Sequence, residues 1–183
     1  HLRSLQFEVR CGRAVIHPDF VMGRDPLLVA EAIARAKRQG VSEELLSELD
    51  GFTGAVGIWD SGRPGPVTAF RFDIDCVQVG ETSDPAHEAN AGGYASQRPN
   101  LMHACGHDGH LAVGLGVAQW IKDHADQLCG KIKLVFQPAE EGTRGAQPMA
   151  ESGILDDVDF IVCTHIGSSV PLHQVAVCTH GYL

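Results

Sequence analysis

The sequence predicts an α/β fold, a mixed, largely parallel sheet flanked by helices, on two observations. Short apolar runs of strand length alternate with longer stretches of helical spacing, and three of those runs end in acidic or imidazole residues. At 183 residues the chain is long enough for one ordinary domain with a sizeable core.

The elements follow in order. Residues 1–50 begin with a short strand-like piece. From Asp25 to Arg38, Leu27, Leu28, Ala30, Ile33 and Ala34 lie among charges; Asp25 as N-cap, Pro26 at the first helical position and Gly40 beyond the end predict a helix. A second short helix, 42–49, opens at Ser42 with Glu44 close behind. Residues 54–59 and 67–72, joined by Ser61-Gly62-Arg63-Pro64-Gly65, read as a β-hairpin. The polar, Gly- and Ala-rich stretch 86–100 reads as a loop. A helix is expected over 108–125 from the spacing of Leu111, Leu115, Val117, Ala118 and Ile121. Strands follow at 131–136, stopped by Pro138, at 160–164 and at 175–178, with a short helix over 143–152.

Composition removes several functional classes. Fourteen basic against 23 acidic residues give a charge of -9, which disfavours nonspecific binding to phosphate backbones. No apolar stretch is long enough to span a bilayer, and the irregular spacing of the six cysteines predicts free thiols in a reducing, cytoplasmic setting. The patterns GxSxG, GxGxxG, the P-loop and redox CxxC are all absent.

What remains is a concentration of metal-binding residue types. His103-Ala104-Cys105-Gly106-His107-Asp108-Gly109-His110 packs a cysteine and three histidines into eight residues, and thiolate and imidazole suit zinc-like ions. The plainer alternative is a helix entry with Asp108 as its cap and histidines on the surface. Glu140 and Glu141 follow the strand 131–136; one carboxylate could bind a metal while the other carries a proton. Alone, such a pair is as well read as a solvated helix start. His165 follows the strand 160–164, and Asp73 and Asp75 follow 67–72, where either could orient a ligating imidazole. If the three strands are parallel, these groups meet at one sheet edge. Cys105 with His107 could instead be a nucleophilic pair, which leaves Glu140, Glu141 and His165 without a role.

These motifs resemble a known family. Phe72-Asp73-Ile74-Asp75, Met102 to His110, Phe136 to Gly142 and Thr164-His165-Ile166-Gly167 occur in the order of the amidohydrolase branch of the metallopeptidase/aminoacylase superfamily, which includes hippurate and auxin-conjugate hydrolases. The contexts Gly62 to Pro66 and Glu141 to Ala146 are most similar to its aminobenzoyl-glutamate hydrolases, in their A-type chains. The resemblance implies a zinc-exopeptidase-like catalytic domain holding two divalent ions, Zn or Mn. It implies Cys105, His107, Glu141 and His165 as metal ligands, with Cys105 bridging. It makes Glu140 the general base and acid, and Asp75 an orienting carboxylate. The implied reaction is cleavage of an N-acyl or N-aroyl amino acid such as aminobenzoyl-glutamate by metal-activated water, in a dimeric or hetero-oligomeric parent with no nucleic-acid or membrane partner.

The chain departs from the family pattern in two ways. Residues 1–183 resemble only part of the catalytic domain: the inserted lid and dimerisation domain and the last metal-binding histidine of the family have no counterpart, and His173 and His180 follow too closely to replace it. Cys76 and Val77 also stand where the family usually has Ala-Leu. Two expectations follow: a metal-dependent amidohydrolase in the parent protein, or a noncatalytic metal-binding fragment or subunit.

Overall fold

A computed structural model describes residues 1–167 and 169–177. The core is a five-stranded sheet: β1 (Glu8–Cys11), β2 (Ala55–Asp60), β3 (Val67–Asp73), β4 (Lys131–Gln137) and β5 (Phe160–Cys163), in spatial order β1-β2-β4-β3-β5. β1 and β2 pair antiparallel, as do β2 and β4, whereas β3 runs parallel to both β4 and β5. The mixed sheet flanked by helices is therefore as expected, with its parallel portion confined to β3, β4 and β5.

The hairpin expected from 54–72 does not form. β4 inserts between β2 and β3, matching Ala55 to Phe136 on one side and Asp73 to Gln137 on the other. The six residues between β2 and β3 straddle the chain entering β4: the Ser61 amide donates to the Gly130 carbonyl, and the Gly130 amide to that of Arg63. Period-two apolar patterning marks both strands but says nothing about which strand lies between them.

The helices flank this sheet. α1 (Pro26–Arg38) begins as expected, with the Asp25 carboxylate accepting from the Leu27 amide, and α2 (Glu43–Leu49) is capped by Ser42. Within the expected loop 86–100 lies a short helix, α3 (Glu88–Gly92). α4 (His107–Asp123) is the crossover between the parallel strands β3 and β4. The expected helix over 143–152 shortens to α5 (Ala146–Ala150), because residues 139–145 are taken up by a turn in which the Arg144 and Gly145 amides both donate to the Ala139 carbonyl. Val175–Val177 form no strand, and Cys178, the end of that expected element, lies outside the described residues.

Two apolar layers cover the sheet. Phe72, Ile132, Leu134 and Phe136 pack with Ala118 and Ile121 of α4, while Ala69 and Val135 face Val15, Ile16, Phe52, Met149 and Ile154 on the other side. Gly114 sets the closeness of α4 to the sheet: a Cβ there would stand 2.7 Å from the Phe136 ring and 2.8 Å from that of Phe72. This contact holds the start of α4 against the carboxyl ends of β3 and β4, where the expected site residues lie.

Candidate metal centre

α4 begins at His107, one residue before the expected start at Asp108, and Gly106, not Asp108, is its N-cap. Gly106 is in the left-handed region at φ 87°, which turns the chain so that His107 enters the helix facing the strand ends. His107 is buried. Its Nδ1 lies 3.0 Å from the Asp75 backbone carbonyl, and since a carbonyl only accepts, Nδ1 carries the proton and donates it. Asp75 Oδ1 stands 3.3 Å from the same nitrogen.

Nε2 of His107 therefore carries a lone pair. It is buried without a hydrogen-bond partner, and it faces Asp73 Oδ1, Glu140 Oε2 and Glu141 Oε1, each 3.8 Å away. That separation is too long for a hydrogen bond even if the nitrogen were protonated. It does suit two atoms that share an ion, since ligand bonds of ~2.0–2.2 Å place donor atoms roughly 3–4 Å apart. A buried imidazole lone pair among three carboxylate oxygens calls for a cation.

The remaining donors converge on this point. Ligand atoms of Cys105, His107 and Glu141 lie within 4.8 Å of one another, as do those of Asp73, His107, His110 and His165. His165 Nδ1 donates to the Ile166 carbonyl at 2.7 Å, so its Nε2 is the acceptor that meets the Cys105 thiol at 3.4 Å. Burial, and after it interaction with Glu141 and the charges of Glu140 and Asp73, pushes the Cys105 thiol up to about 11. A thiolate among those acids needs a bound cation to form at neutral pH.

Glu140 and Glu141 reach the centre from a strained turn. Ala139 adopts φ 54° and Thr143 φ 53°, both left-handed without being glycine. The Glu141 amide donates to Asp75 Oδ2 at 3.1 Å, which ties this turn to the end of β3. Both glutamates keep about a third of their side-chain surface exposed (35% and 32%), so the centre opens to solvent on their side. The donor set and its geometry fit a divalent metal.

The structure thus brings Cys105, His107, Glu140, Glu141, His165 and Asp75 to one edge, as the strand ends predicted. His173 joins neither donor group among the described residues, and His180 lies outside them. Asp73, offered by the sequence with Asp75 as a carboxylate that could orient an imidazole, and His110, counted in the Cys/His cluster, are also there. Asp73 is fully buried, accepts from Arg71 at 2.7 Å and accepts from His110 Nδ1. Burial alone would raise its pKa; the His110 hydrogen bond and the Arg71 charge act against it, and the carboxyl is held below its usual range. The signal for His110 was its spacing: three residues after His107, it shares that residue's face of α4, and the two rings stack 5.3 Å apart.

A model of peptidase family M20/M25/M40 matches residues 69–180, which span every residue of this centre. The chain belongs to that family. Among its relatives, a p-aminobenzoyl-glutamate hydrolase homolog of Haemophilus influenzae, of the A-type chain, is 52% identical over 87% of this chain and 38% of its own length. The indole-3-acetyl-aspartic acid hydrolase of Enterobacter agglomerans is 48% identical over the whole chain and 42% of its own. The chain thus spans about two fifths of these relatives. The crystal structure of an aminobenzoyl-glutamate utilization protein from Klebsiella pneumoniae superposes with a TM-score of 0.74 at 43% identity, covering 93% of this chain and 37% of that one. The YXEP protein of Bacillus subtilis, a dinuclear metal binding peptidase of the M20 family, matches at 28% identity and a TM-score of 0.60, over 87% of this chain and 42% of its own.

Proposed function

We propose that the protein containing this chain is a metal-dependent amidohydrolase that cleaves the amide bond of an N-acyl or N-aroyl amino acid. The observation that carries the proposal is the buried, unpartnered His107 Nε2 surrounded by carboxylate oxygens and the Cys105 thiol. On this reading Cys105, His107, Glu141 and His165 hold the metal, and family membership favours a dinuclear centre, of zinc or manganese. Divalent ions there supply Lewis acidity toward the amide carbonyl and toward water.

The chain's own groups do the rest. Glu140, partly open to solvent, takes a proton from the attacking water and returns it to the departing amine. Asp75 holds two parts of the site at once: its backbone carbonyl fixes the His107 tautomer, and its Oδ2 anchors the turn that carries Glu140 and Glu141. The relatives named for hydrolysis of p-aminobenzoyl-glutamate and indole-3-acetyl-aspartate favour an acyl group with an aromatic ring and an acidic amino acid as leaving group. The p-aminobenzoyl-glutamate hydrolases among them are named as single subunits of their enzymes, which favours a hetero-oligomeric parent.

No helix among the described residues is long and apolar enough to cross a membrane. The described cysteines are free thiols, which favours a reducing, cytoplasmic setting. The chain's share of its relatives' length supports reading it as part of a catalytic domain, with a lid domain and the last ligand supplied elsewhere in the parent. In the full-length protein, Glu140→Ala is expected to abolish hydrolysis of p-aminobenzoyl-glutamate while metal content is retained. Hydrolysis at the unsubstituted rate in that variant would refute the assignment of Glu140.

A further inference from the structure

Among the described residues β5 is an edge strand of the sheet, and its pairing with β3 ends at Arg71 opposite Cys163. His165 therefore lies beyond the last rung of the ladder, and contacts other than sheet hydrogen bonds must place it. Two are present. The Ile166 amide donates to His110 Nε2 at 2.9 Å, and the Ile166 side chain lies against Gly106 and Gly109 at the start of α4.

His110 is well fixed to receive that amide. Because Nε2 accepts an N–H, the ring proton sits on Nδ1, which donates to the fully buried Asp73. Asp73 is itself held by Arg71, whose Nε donates to Gln137 Oε1 at 2.9 Å. One line of hydrogen bonds runs from the end of β4 through the end of β3 and the first turn of α4 to the residue after His165. Both ring nitrogens of His110 are used within it, so His110 has no lone pair to offer an ion, although its atoms lie within 4.8 Å of those of Asp73, His107 and His165.

We propose that His110 is a positioning residue, not a ligand: the Asp73–His110 pair sets the placement of His165 by holding the Ile166 amide. This rests on the reading of His165 as a metal ligand. Its consequence is specific to one hydrogen-bond acceptor. Asn at 110 can reproduce the Nδ1 donor to Asp73 but offers nothing to the Ile166 amide; Gln reaches the Nε2 position with an oxygen that accepts it.

The test is zinc affinity by chelator competition in the full-length protein, with the metal-free melting temperature measured beside it. His110→Asn is expected to weaken zinc binding about 10–100-fold, and His110→Gln to restore it to within about threefold of the unsubstituted protein, at similar melting temperatures. Unchanged affinity in His110→Asn, alongside a loss in His165→Ala, would overturn the proposal. So would equal losses in the Asn and Gln variants. Unchanged affinity in His165→Ala would instead sink the metal-site reading on which the proposal rests. A second measurement needs no substitution: long-range 1H–15N spectra should show His110 as the Nδ1–H form both with and without zinc. A zinc-dependent shift of its Nε2 to a coordinated value would make it a ligand and contradict the proposal.

Discussion

Gly106→Ala should couple the start of α4 to the residue after His165, and its cost can be worked from two separate causes. The first is conformational: φ 87° is a backbone that L side chains rarely adopt, which costs about 1–2 kcal/mol. The second is steric: a Cβ at 106 would stand 2.4 Å from Ile166 Cδ1 and 3.0 Å from its Cγ1, so Ile166 must move, at roughly 1–3 kcal/mol. The smaller unfolded-state entropy of Ala returns ~0.4–1 kcal/mol. The net expectation is a loss of about 2–4 kcal/mol in urea unfolding. Only the steric part depends on Ile166, which is 51% exposed and should itself tolerate truncation. In an Ile166→Ala background the cost of Gly106→Ala should therefore fall by that steric part, ~1–3 kcal/mol. Additive effects, agreeing within about 0.5 kcal/mol, would show that Ile166 does not seat on Gly106 and would refute this account of how the His165 segment docks.

Other predictions concern charge. Asp73 has a depressed carboxyl pKa, so its ionised form contributes stability that is present above the unfolded value of about 3.9 and is lost as pH falls through the folded one. Urea titrations of the unsubstituted protein should thus lose stability below about pH 4, and Asp73→Asn should flatten that acid limb while lowering stability at pH 7; an unchanged acid limb would contradict it. The Cys105 thiol, pushed up to about 11, should be alkylated by iodoacetamide at pH 8 far more slowly than the exposed Cys76 in metal-free protein. Adding zinc should then release a proton and raise thiolate absorbance; equal alkylation rates at the two cysteines without metal would rule out the acidic surroundings proposed for Cys105.

The sequence carried much of the site because the relevant signals were local. Asp25 and Pro26 open α1 as their chemistry dictates, and apolar runs ending in Asp73, Glu140 and His165 mark the parallel strand ends where ligands gather. What it could not show was pairing. The order of β2, β4 and β3 depends on a turn straddling Gly130, and nothing in the alternation of residues 54–72 encodes the strand between them. The role of His110 was equally hidden, because its partners Asp73 and Ile166 lie 37 and 56 residues away and one of them is a backbone amide. The Gly106 cap was obscured by Asp108, a good cap residue that instead accepts from the Gly109 amide inside the first turn.

The central claim is that the buried His107 Nε2 is a metal ligand, and anomalous diffraction from a zinc-soaked crystal of the full-length protein tests it most directly. The account predicts an anomalous peak at ~2.0–2.1 Å from His107 Nε2 and ~2.3 Å from Cys105 Sγ, with Glu141 and His165 among the ligands. Well-ordered electron density with no anomalous peak near His107, or a zinc ion bound elsewhere on the molecule, would contradict it.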